Sequence, residues 1–150
     1  MPTTVFLFTL LAMFQSAVDF PDQGMLKNYL ENKAPFDFIL IDVRGAEEIS
    51  VAIGNATCKP YNLQWPEPFQ GVALKIPKDL PVIVYCGSGV RAARAAAYLK
   101  EAGYTRVYNA GGILTWTGPT VPACEIKPAS LLPEPSTKAS RINGSCRSGS

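Results

Sequence analysis

The chain has 150 residues, of which 47% are hydrophobic and 17% are charged, as expected for one globular domain with a hydrophobic core. Fourteen basic and twelve acidic residues give a net charge of +2, too small for a strongly basic nucleic-acid-binding face. The chain contains no histidine, which excludes Ser-His-Asp triads, Cys-His nucleophile pairs and Cys/His zinc sites. Any nucleophile in this chain is therefore activated by other groups.

An apolar run near the N-terminus has the length of a signal-peptide core. Residues 5–14 (VFLFTLLAMF) are apolar except for Thr9, although no basic residue precedes them. The run is shorter than the roughly 18 residues that cross a bilayer as a helix, so no stable membrane span is predicted. Residues 1–17 are predicted to be a signal peptide or an N-terminal extension. A signal peptide implies a periplasmic or secreted protein, and an extension implies a cytoplasmic one.

The next part of the chain alternates helix and strand patterns. Residues 22–32 carry apolar side chains on one helical face. Residues 38–41 (FILI) form a continuous apolar run that ends at Asp42, as expected for a strand covered on both faces. A helical turn is predicted within residues 46–51. Residues 55–71 contain three prolines and are predicted to be a loop.

A strand, a helix and another strand follow. Residues 82–85 (VIVY) form a second apolar strand pattern that ends at Cys86, and residues 91–102 form an alanine-rich helix. A third strand is predicted over residues 106–108, followed by two glycines and a short helix within residues 111–116. This order predicts a βαβ unit and hence a parallel sheet.

The C-terminal part of the chain is rich in proline, serine and glycine. Residues 123–150 are therefore predicted to be a disordered tail, and the folded domain is expected to span residues 18–122. Cys58, Cys124 and Cys146 are scattered and form no Cys-x-x-Cys motif. An even cysteine count allows disulfides in an exported protein, but no role is assigned to these three residues.

A candidate nucleophile lies where a predicted strand meets a predicted helix. Cys86 ends a buried strand and precedes a glycine-rich loop, at the edge of an α/β sheet where ligands bind. The helix N-terminus and the Arg91 charge are expected to stabilise the thiolate, and the glycines allow inward-pointing amides to form an anion-binding nest. The predicted site consists of the catalytic Cys86 and a binding loop made of Gly87, Ser88, Gly89, Val90 and Arg91.

Three segments, in this order, resemble those of a single-domain rhodanese. They are Ile41-Asp42-Val43-Arg44 with Glu48, Val84-Tyr85-Cys86-Gly87-Ser88-Gly89-Val90-Arg91, and Tyr108-Asn109-Ala110-Gly111-Gly112 with Trp116. The resemblance runs from about residue 20 to residue 122. It implies a rhodanese-like α/β fold with a small five-stranded parallel sheet and helices on both faces.

The resemblance also implies roles for residues outside the loop. Arg44 and Glu48 correspond to a structural ion pair of the family, and Asp42 corresponds to its supporting aspartate at the end of a strand. Residues 52–56 (AIGNA) depart from the family's Gly-His-Ile-Pro-Gly-Ala, because they lack the histidine and are one residue shorter. That histidine is not the nucleophile, so the departure concerns packing rather than chemistry.

The implied activity is sulfur transfer. A rhodanese-like sulfurtransferase moves sulfane sulfur from thiosulfate or a polysulfide, through a persulfide on Cys86, to a nucleophilic acceptor such as cyanide or a thiol. The expected partners are these small sulfur anions and the acceptor, without nucleic acid. Neither a metal nor an organic cofactor is expected, because the persulfide itself is the intermediate. No oligomeric state is predicted.

The same loop allows three other interpretations. Residues 87–92 match the dinucleotide-binding pattern G-x-G-x-x-A, but Asn109 stands where that site needs an acidic residue. Cysteine phosphatases have five residues between the cysteine and the arginine, whereas four separate Cys86 from Arg91. A non-enzymatic rhodanese-like sulfur carrier or binding module stays open as the alternative to an enzyme.

Overall fold

The computed structural model describes residues 23–32, residues 34–133 and Cys146. The predicted signal peptide, residues 1–17, lies outside the described residues. Within the described part, no helix is long and apolar enough to cross a membrane. The elements in chain order are α1 (Gln23–Glu31), β1 (Ile39–Asp42), β2 (Val51–Ile53), β3 (Tyr61–Asn62), α2 (Phe69–Val72), β4 (Val82–Cys86), α3 (Val90–Glu101), β5 (Val107–Gly112), β6 (Thr120–Pro122) and β7 (Lys127–Pro128).

Five parallel strands form the main sheet, in the order β5-β4-β1-β3-β7. All residues of the two strands β1 and β4 are buried, and Ile41 of β1 pairs with Val84 of β4. A parallel sheet is covered on both faces, which explains why these strands are continuous apolar runs in the sequence. The α/β fold with a five-stranded parallel sheet is therefore confirmed.

Successive strand residues point to opposite faces of the sheet, and each face has its own core. Ile39 and Ile41 face α3, which covers them with small side chains. This buried stripe of α3 consists of Ala92, Ala95, Ala96 and Leu99. Leu40 faces the other way and packs with Leu26 and Leu30 of α1. Burial of each leucine contributes about 1.5–3 kcal/mol. Helices on both faces are thus confirmed.

Five short elements were not predicted from the sequence: the strands β2, β3, β6 and β7 and the helix α2. The strand β3 lies inside the predicted loop of residues 55–71, and the helix α2 begins inside it and ends one residue beyond it. The strand β2 overlaps the end of the predicted helical turn and pairs antiparallel with β6 in a separate two-stranded sheet. Elements of two to four residues are too short to show a hydrophobic period, and their neighbours in the fold determine their conformation.

Residues 123–133 correct the prediction of a disordered tail and of a domain that ends at residue 122. Lys127 donates its backbone N–H to the Pro60 carbonyl at 2.9 Å, and β7 pairs parallel with β3. Leu132 is only 8% exposed and belongs to the core on the α3 face. A high proline content does not by itself indicate disorder, because prolines occur in turns and edge strands as well as in disordered chain.

A disulfide joins Cys58 to Cys146, 88 residues later in the chain. Cys146 also exchanges two backbone hydrogen bonds with Phe38, of 3.0 and 2.7 Å. The tail prediction is therefore also wrong at Cys146. The rest of the predicted tail, residues 134–145 and 147–150, lies outside the described residues.

Removal of this disulfide is expected to destabilise the fold. A cross-link that closes a long loop restricts the unfolded chain, and its loss costs about 2–4 kcal/mol. The double variant Cys58→Ser/Cys146→Ser should lose this amount in the free energy of unfolding, measured by urea denaturation. Cys124→Ser is the matched control, because that thiol is free and exposed. An unchanged urea midpoint in the double variant would show that the cross-link does not stabilise the folded state.

Candidate active site

Cys86 is the last residue of β4 and is completely buried, with its side chain on the α3 side of the sheet. The backbone N–H of Gly89 donates a hydrogen bond to Cys86 Sγ at 2.9 Å. Gly89 has a φ of +104°, a left-handed backbone conformation that residues other than glycine rarely adopt. This glycine lets the chain curl back over the sulfur before α3 begins at Val90.

Two glycines at the end of β5, Gly111 and Gly112, pack against the backbone of this loop. A Cβ atom on Gly112 would lie 1.9 Å from the carbonyl oxygen of Gly87, and a Cβ atom on Gly89 would lie 3.2 Å from the Cα of Gly111. Leu114 donates its N–H to the same Gly87 oxygen at 3.1 Å. Asn109 accepts a hydrogen bond from the Gly111 N–H at 2.8 Å and donates one to the Gly89 carbonyl. The Cys86 loop therefore packs directly against the backbone of Gly111, Gly112 and Leu114.

Arg91 and Glu48 form a bidentate ion pair beside the loop. Arg91 Nη1 lies 2.7 Å from Glu48 Oε2, and Nη2 lies 2.8 Å from Oε1. The same carboxylate accepts the Gly45 N–H at 2.9 Å. The hydrogen bond from Arg91, followed by that from Gly45, lowers the pKa of Glu48 from its usual 4.5 to about 2. Arg91 Nη2 also lies 3.6 Å from where a Cβ atom of Gly87 would be, so the pair borders the Cys86 loop.

Arg44 pairs with Asp42 and not with Glu48, so the expected Arg44–Glu48 ion pair is wrong. Arg44 Nη2 lies 2.6 Å from Asp42 Oδ2, and Arg44 Nε lies 3.0 Å from Oδ1. Asp42 is completely buried, and a buried carboxylate needs a paired charge. Arg44 supplies that charge two residues later, while Glu48 lies in a separate turn, Ala46–Glu48, that faces α3.

Residues 52–56, which depart from the family pattern, are held by their own hydrogen bonds. The Ile53 N–H donates to the Tyr85 hydroxyl at 3.0 Å, next to Asp42. Burial raises the pKa of Tyr85 well above its usual value, so this hydroxyl keeps its proton. Asn55 donates from Nδ2 to the Leu30 carbonyl at 2.6 Å. These bonds fix the segment without the family's histidine.

The structure brings Cys86, Gly89 and Arg91 together at the carboxyl end of β4, with Gly87, Ser88 and Val90 between them. Asp42 and Arg44 lie at the end of the neighbouring strand β1. Asp42 accepts the backbone N–H of Arg44, so this pair stabilises the end of β1 rather than contacting the sulfur. Within residues 23–32, 34–133 and 146, no cluster of acidic residues and cysteines could hold a metal ion.

Two supporting features of the site were not identified from the sequence. The first is the seat formed by Gly111 and Gly112, for which the only sequence signal was a glycine pair after a strand. The second is the partner of Arg91, because Glu48 lies 43 residues earlier and nothing in the sequence spacing reports their contact.

The Glu48 carboxylate gives a pH-dependent contribution to stability. Its pKa is lower in the folded protein than in the unfolded chain, so the contribution is complete above about pH 4.5 and disappears as the pH falls towards about 2. The free energies of unfolding of wild type and Glu48→Gln should differ by a constant amount above pH 4.5 and converge below it. A difference that does not change with pH would contradict the ion pair with Arg91. Screening keeps the effect small, because 40% of the Glu48 side chain is exposed.

Comparisons with known proteins agree on one family. The model of the rhodanese-like domain family matches residues 22–118. A sulfurtransferase of Allochromatium vinosum is 40% identical over 82 residues, which are 53% of this chain and 72% of that protein. The chain therefore belongs to the rhodanese-like domain family, as the sequence resemblance implied.

Two further comparisons concern a longer protein and a solved structure. A tRNA uridine(34) hydroxylase of Wolbachia pipientis is 32% identical over 87 residues, but the chain covers only 30% of that protein. The solution structure of the rhodanese-like domain of the Alr3790 protein from Anabaena has the same fold, with a TM-score of 0.55. It is 23% identical, and the match covers 67% of this chain and 76% of that domain.

Proposed function

We propose that this protein is a sulfurtransferase that carries sulfane sulfur on Cys86. The donor is thiosulfate or a polysulfide, and the acceptor is cyanide or a thiol. The observation that carries the proposal is the Gly89 N–H, which donates to Cys86 Sγ at 2.9 Å at the carboxyl end of β4. Membership of the rhodanese-like family and the relative named as a sulfurtransferase support it.

In the first step, the Cys86 thiolate attacks the outer sulfur of thiosulfate. A new S–S bond forms, the donor's S–S bond breaks, and its electron pair leaves with sulfite. The product is a Cys86 persulfide anion, whose negative charge the Gly89 N–H and the α3 N-terminus stabilise. In the second step, the acceptor attacks the outer sulfur of the persulfide and returns Cys86 to the thiolate. Neither step uses a metal or an organic cofactor.

Access to the sulfur requires the loop to move. Cys86 is completely buried, whereas Ser88 in the middle of the loop is exposed. Gly87 and Gly89 on either side of Ser88 give the backbone the freedom to open. The same burial is compatible with the second candidate function, a non-enzymatic binding module, whereas a sulfur carrier needs the loop to open just as an enzyme does.

Persulfide formation is the direct test of this proposal. After incubation with thiosulfate, mass spectrometry should find the added mass of one sulfur atom on the peptide that contains Cys86. Cyanide should remove this mass and release thiocyanate repeatedly, whereas a carrier or binding module would release at most one equivalent. Cys124→Ser is the control, because Cys124 is the other free cysteine among the described residues. Sulfur on Cys124 and none on Cys86 would contradict the proposal.

We also propose that the protein is exported through an N-terminal signal peptide. The Cys58–Cys146 disulfide supports this, because such bonds persist mainly in oxidising compartments. N-terminal sequencing of protein from the periplasm or medium should then begin near Val18. Recovery of the chain in the cytoplasm with Met1 retained would contradict export but leave the sulfur chemistry untouched.

A further inference from the structure

The side chain of Gln23, the first residue of α1, is bonded to the end of β5 and to the turn that follows it. Gln23 Nε2 donates to the Gly112 carbonyl at 2.7 Å and to the Ala110 carbonyl at 3.1 Å. Gln23 Oε1 accepts the Thr115 hydroxyl at 3.1 Å. Ala110 and Gly112 are buried, and a buried carbonyl is costly without a hydrogen bond. One side chain therefore holds two backbone groups that lie 87 and 89 residues later in the chain.

A second carboxamide, that of Asn109, holds the residue between these two. Asn109 Oδ1 accepts the Gly111 N–H at 2.8 Å. Gly111 has a φ of +76°, and Gln23 Nε2 lies 3.3 Å from where its Cβ atom would be. Three backbone groups of this segment, the Ala110 carbonyl, the Gly111 N–H and the Gly112 carbonyl, are thus fixed by two side-chain amides.

This segment contacts the Cys86 loop. Gly112 is the residue of β5 that pairs with Cys86 of β4, and a Cβ atom on Gly112 would lie 1.9 Å from the Gly87 oxygen. The Cys86 side chain lies on the α3 face of the sheet, whereas α1 covers the other face. Gln23 is therefore connected to the loop through the backbone of β5, on the face of the sheet away from the sulfur.

We propose that Gln23 is a positioning residue for sulfur transfer. By holding the Gly112 carbonyl, it fixes the backbone against which the loop packs, and so keeps the Gly89 N–H at 2.9 Å from Cys86 Sγ. The inference rests on the proposed sulfurtransferase function. A backbone donor that stabilises developing negative charge contributes about a hundredfold to a thousandfold to a rate. Gln23 acts on this donor through Gly112, so its removal should forfeit part of that factor, about tenfold.

Gln23→Glu separates this role from mere support of α1. Glutamate has the same length as glutamine, and a negative charge at the first residue of a helix is stabilising. It has no N–H to donate, however, and its oxygens would repel the Ala110 and Gly112 carbonyl oxygens that now accept from Nε2. A role confined to α1 predicts wild-type activity for this variant, whereas the positioning role predicts a loss of activity.

The measurement is a single turnover in which thiosulfate loads sulfur onto Cys86, followed by rapid quenching and mass spectrometry. In Gln23→Glu, the maximal rate constant should fall about tenfold, and the thiosulfate concentration that gives half of this rate should change by less than about twofold. The two quantities separate because Gln23 lies on the face away from the sulfur and acts on the chemical step rather than on donor binding.

Asn28→Asp is the matched control, because it makes the same change from amide to carboxylate on α1. Asn28 is exposed, and its Oδ1 accepts the Asn32 amide at 2.6 Å, a bond that aspartate keeps. This variant should load sulfur at the wild-type rate. Gln23→Met provides the comparison if Gln23→Glu does not fold, since methionine has a similar length, no charge and no N–H donor. The same fall of about tenfold is expected for Gln23→Met.

The Gly89 amide proton gives a readout that does not depend on sulfur transfer. Its nuclear magnetic resonance signal in isotope-labelled protein should move upfield in Gln23→Glu, because the hydrogen bond to Cys86 Sγ lengthens. The same signal should stay in place in Asn28→Asp.

The outcomes separate this inference from the proposed function. If wild type takes up no sulfur from any donor, the sulfurtransferase function is wrong, and the Gly89 signal alone decides whether Gln23 positions the loop. If wild type is loaded but Gln23→Glu shows the wild-type maximal rate and an unmoved Gly89 signal, Gln23 supports only α1 and the positioning role is wrong. A slower rate with an unmoved Gly89 signal, or a raised half-saturating concentration alone, would also overturn it.

Discussion

Cys86→Ser is expected to lower the rate of sulfur transfer by about a thousandfold or more, because a serine hydroxyl keeps its proton at neutral pH and forms no persulfide. The fold should remain intact, since the serine hydroxyl is close in size to the thiol and can accept the Gly89 N–H that now donates to Cys86 Sγ. Thiocyanate production from thiosulfate and cyanide measures the activity, and thermal unfolding measures the fold.

A comparison with Cys124→Ser shows whether the loss of activity is specific to Cys86. Cys124→Ser should retain full activity, because Cys124 is exposed and lies in a turn after β6, away from the loop. Full activity in Cys86→Ser, or loss of activity in Cys124→Ser, would move the nucleophile to another residue.

Gly112→Ala is expected to reduce sulfur transfer by about a hundredfold, because displacement of reacting groups by about 1 Å has an effect of this size. The new Cβ atom would lie 1.9 Å from the Gly87 oxygen and 2.4 Å from the Gly87 carbonyl carbon. Backbone atoms cannot rotate away as a flexible side chain can, so either the loop or β5 must shift. The Gly89 N–H then no longer meets the sulfur at 2.9 Å.

Gly71→Ala is the matched control for this substitution. Gly71 lies in α2, where a Cβ atom would have no neighbour within 4 Å. Alanine also favours helix over glycine by about 1 kcal/mol, so stability should stay equal or rise slightly while activity is unchanged. Equal activity of Gly112→Ala and Gly71→Ala would show that the loop does not depend on its contact with β5.

The parts of the fold that were predictable are those whose signal lies within one segment. Residues 38–41 and 82–85 are unbroken apolar runs because both faces of a parallel strand are covered, and the alanine stripe of α3 follows the helical period. The position of Cys86 at the end of such a run, before Gly87 and Gly89, located the candidate site directly.

The parts that were not predictable depend on partners far away in the chain. The strand β7 has only two residues, and its conformation comes from pairing with β3, 66 positions earlier in the Tyr61–Lys127 register. Proline content alone gave the opposite expectation for this segment. In the same way, the sequence offers both Asp42 and Glu48 as ion-pair partners of Arg44. Only the fold shows that Arg44 pairs with the buried Asp42 and that Glu48 pairs with Arg91.

The disulfide between Cys58 and Cys146 also determines how the molecule carries mechanical load. A force applied to the two ends of the chain passes from residue 58 to residue 146 through the S–S bond. The part of the chain between these two residues therefore carries none of this force. It contains the strands β3, β4, β5, β6 and β7, the helix α3 and Cys86. Under tension, α1, β1 and β2 would extend first, while β4, the strand that ends at Cys86, stays enclosed in a covalently closed loop. Single-molecule stretching of the oxidised protein should therefore release a shorter contour length than stretching of the reduced protein.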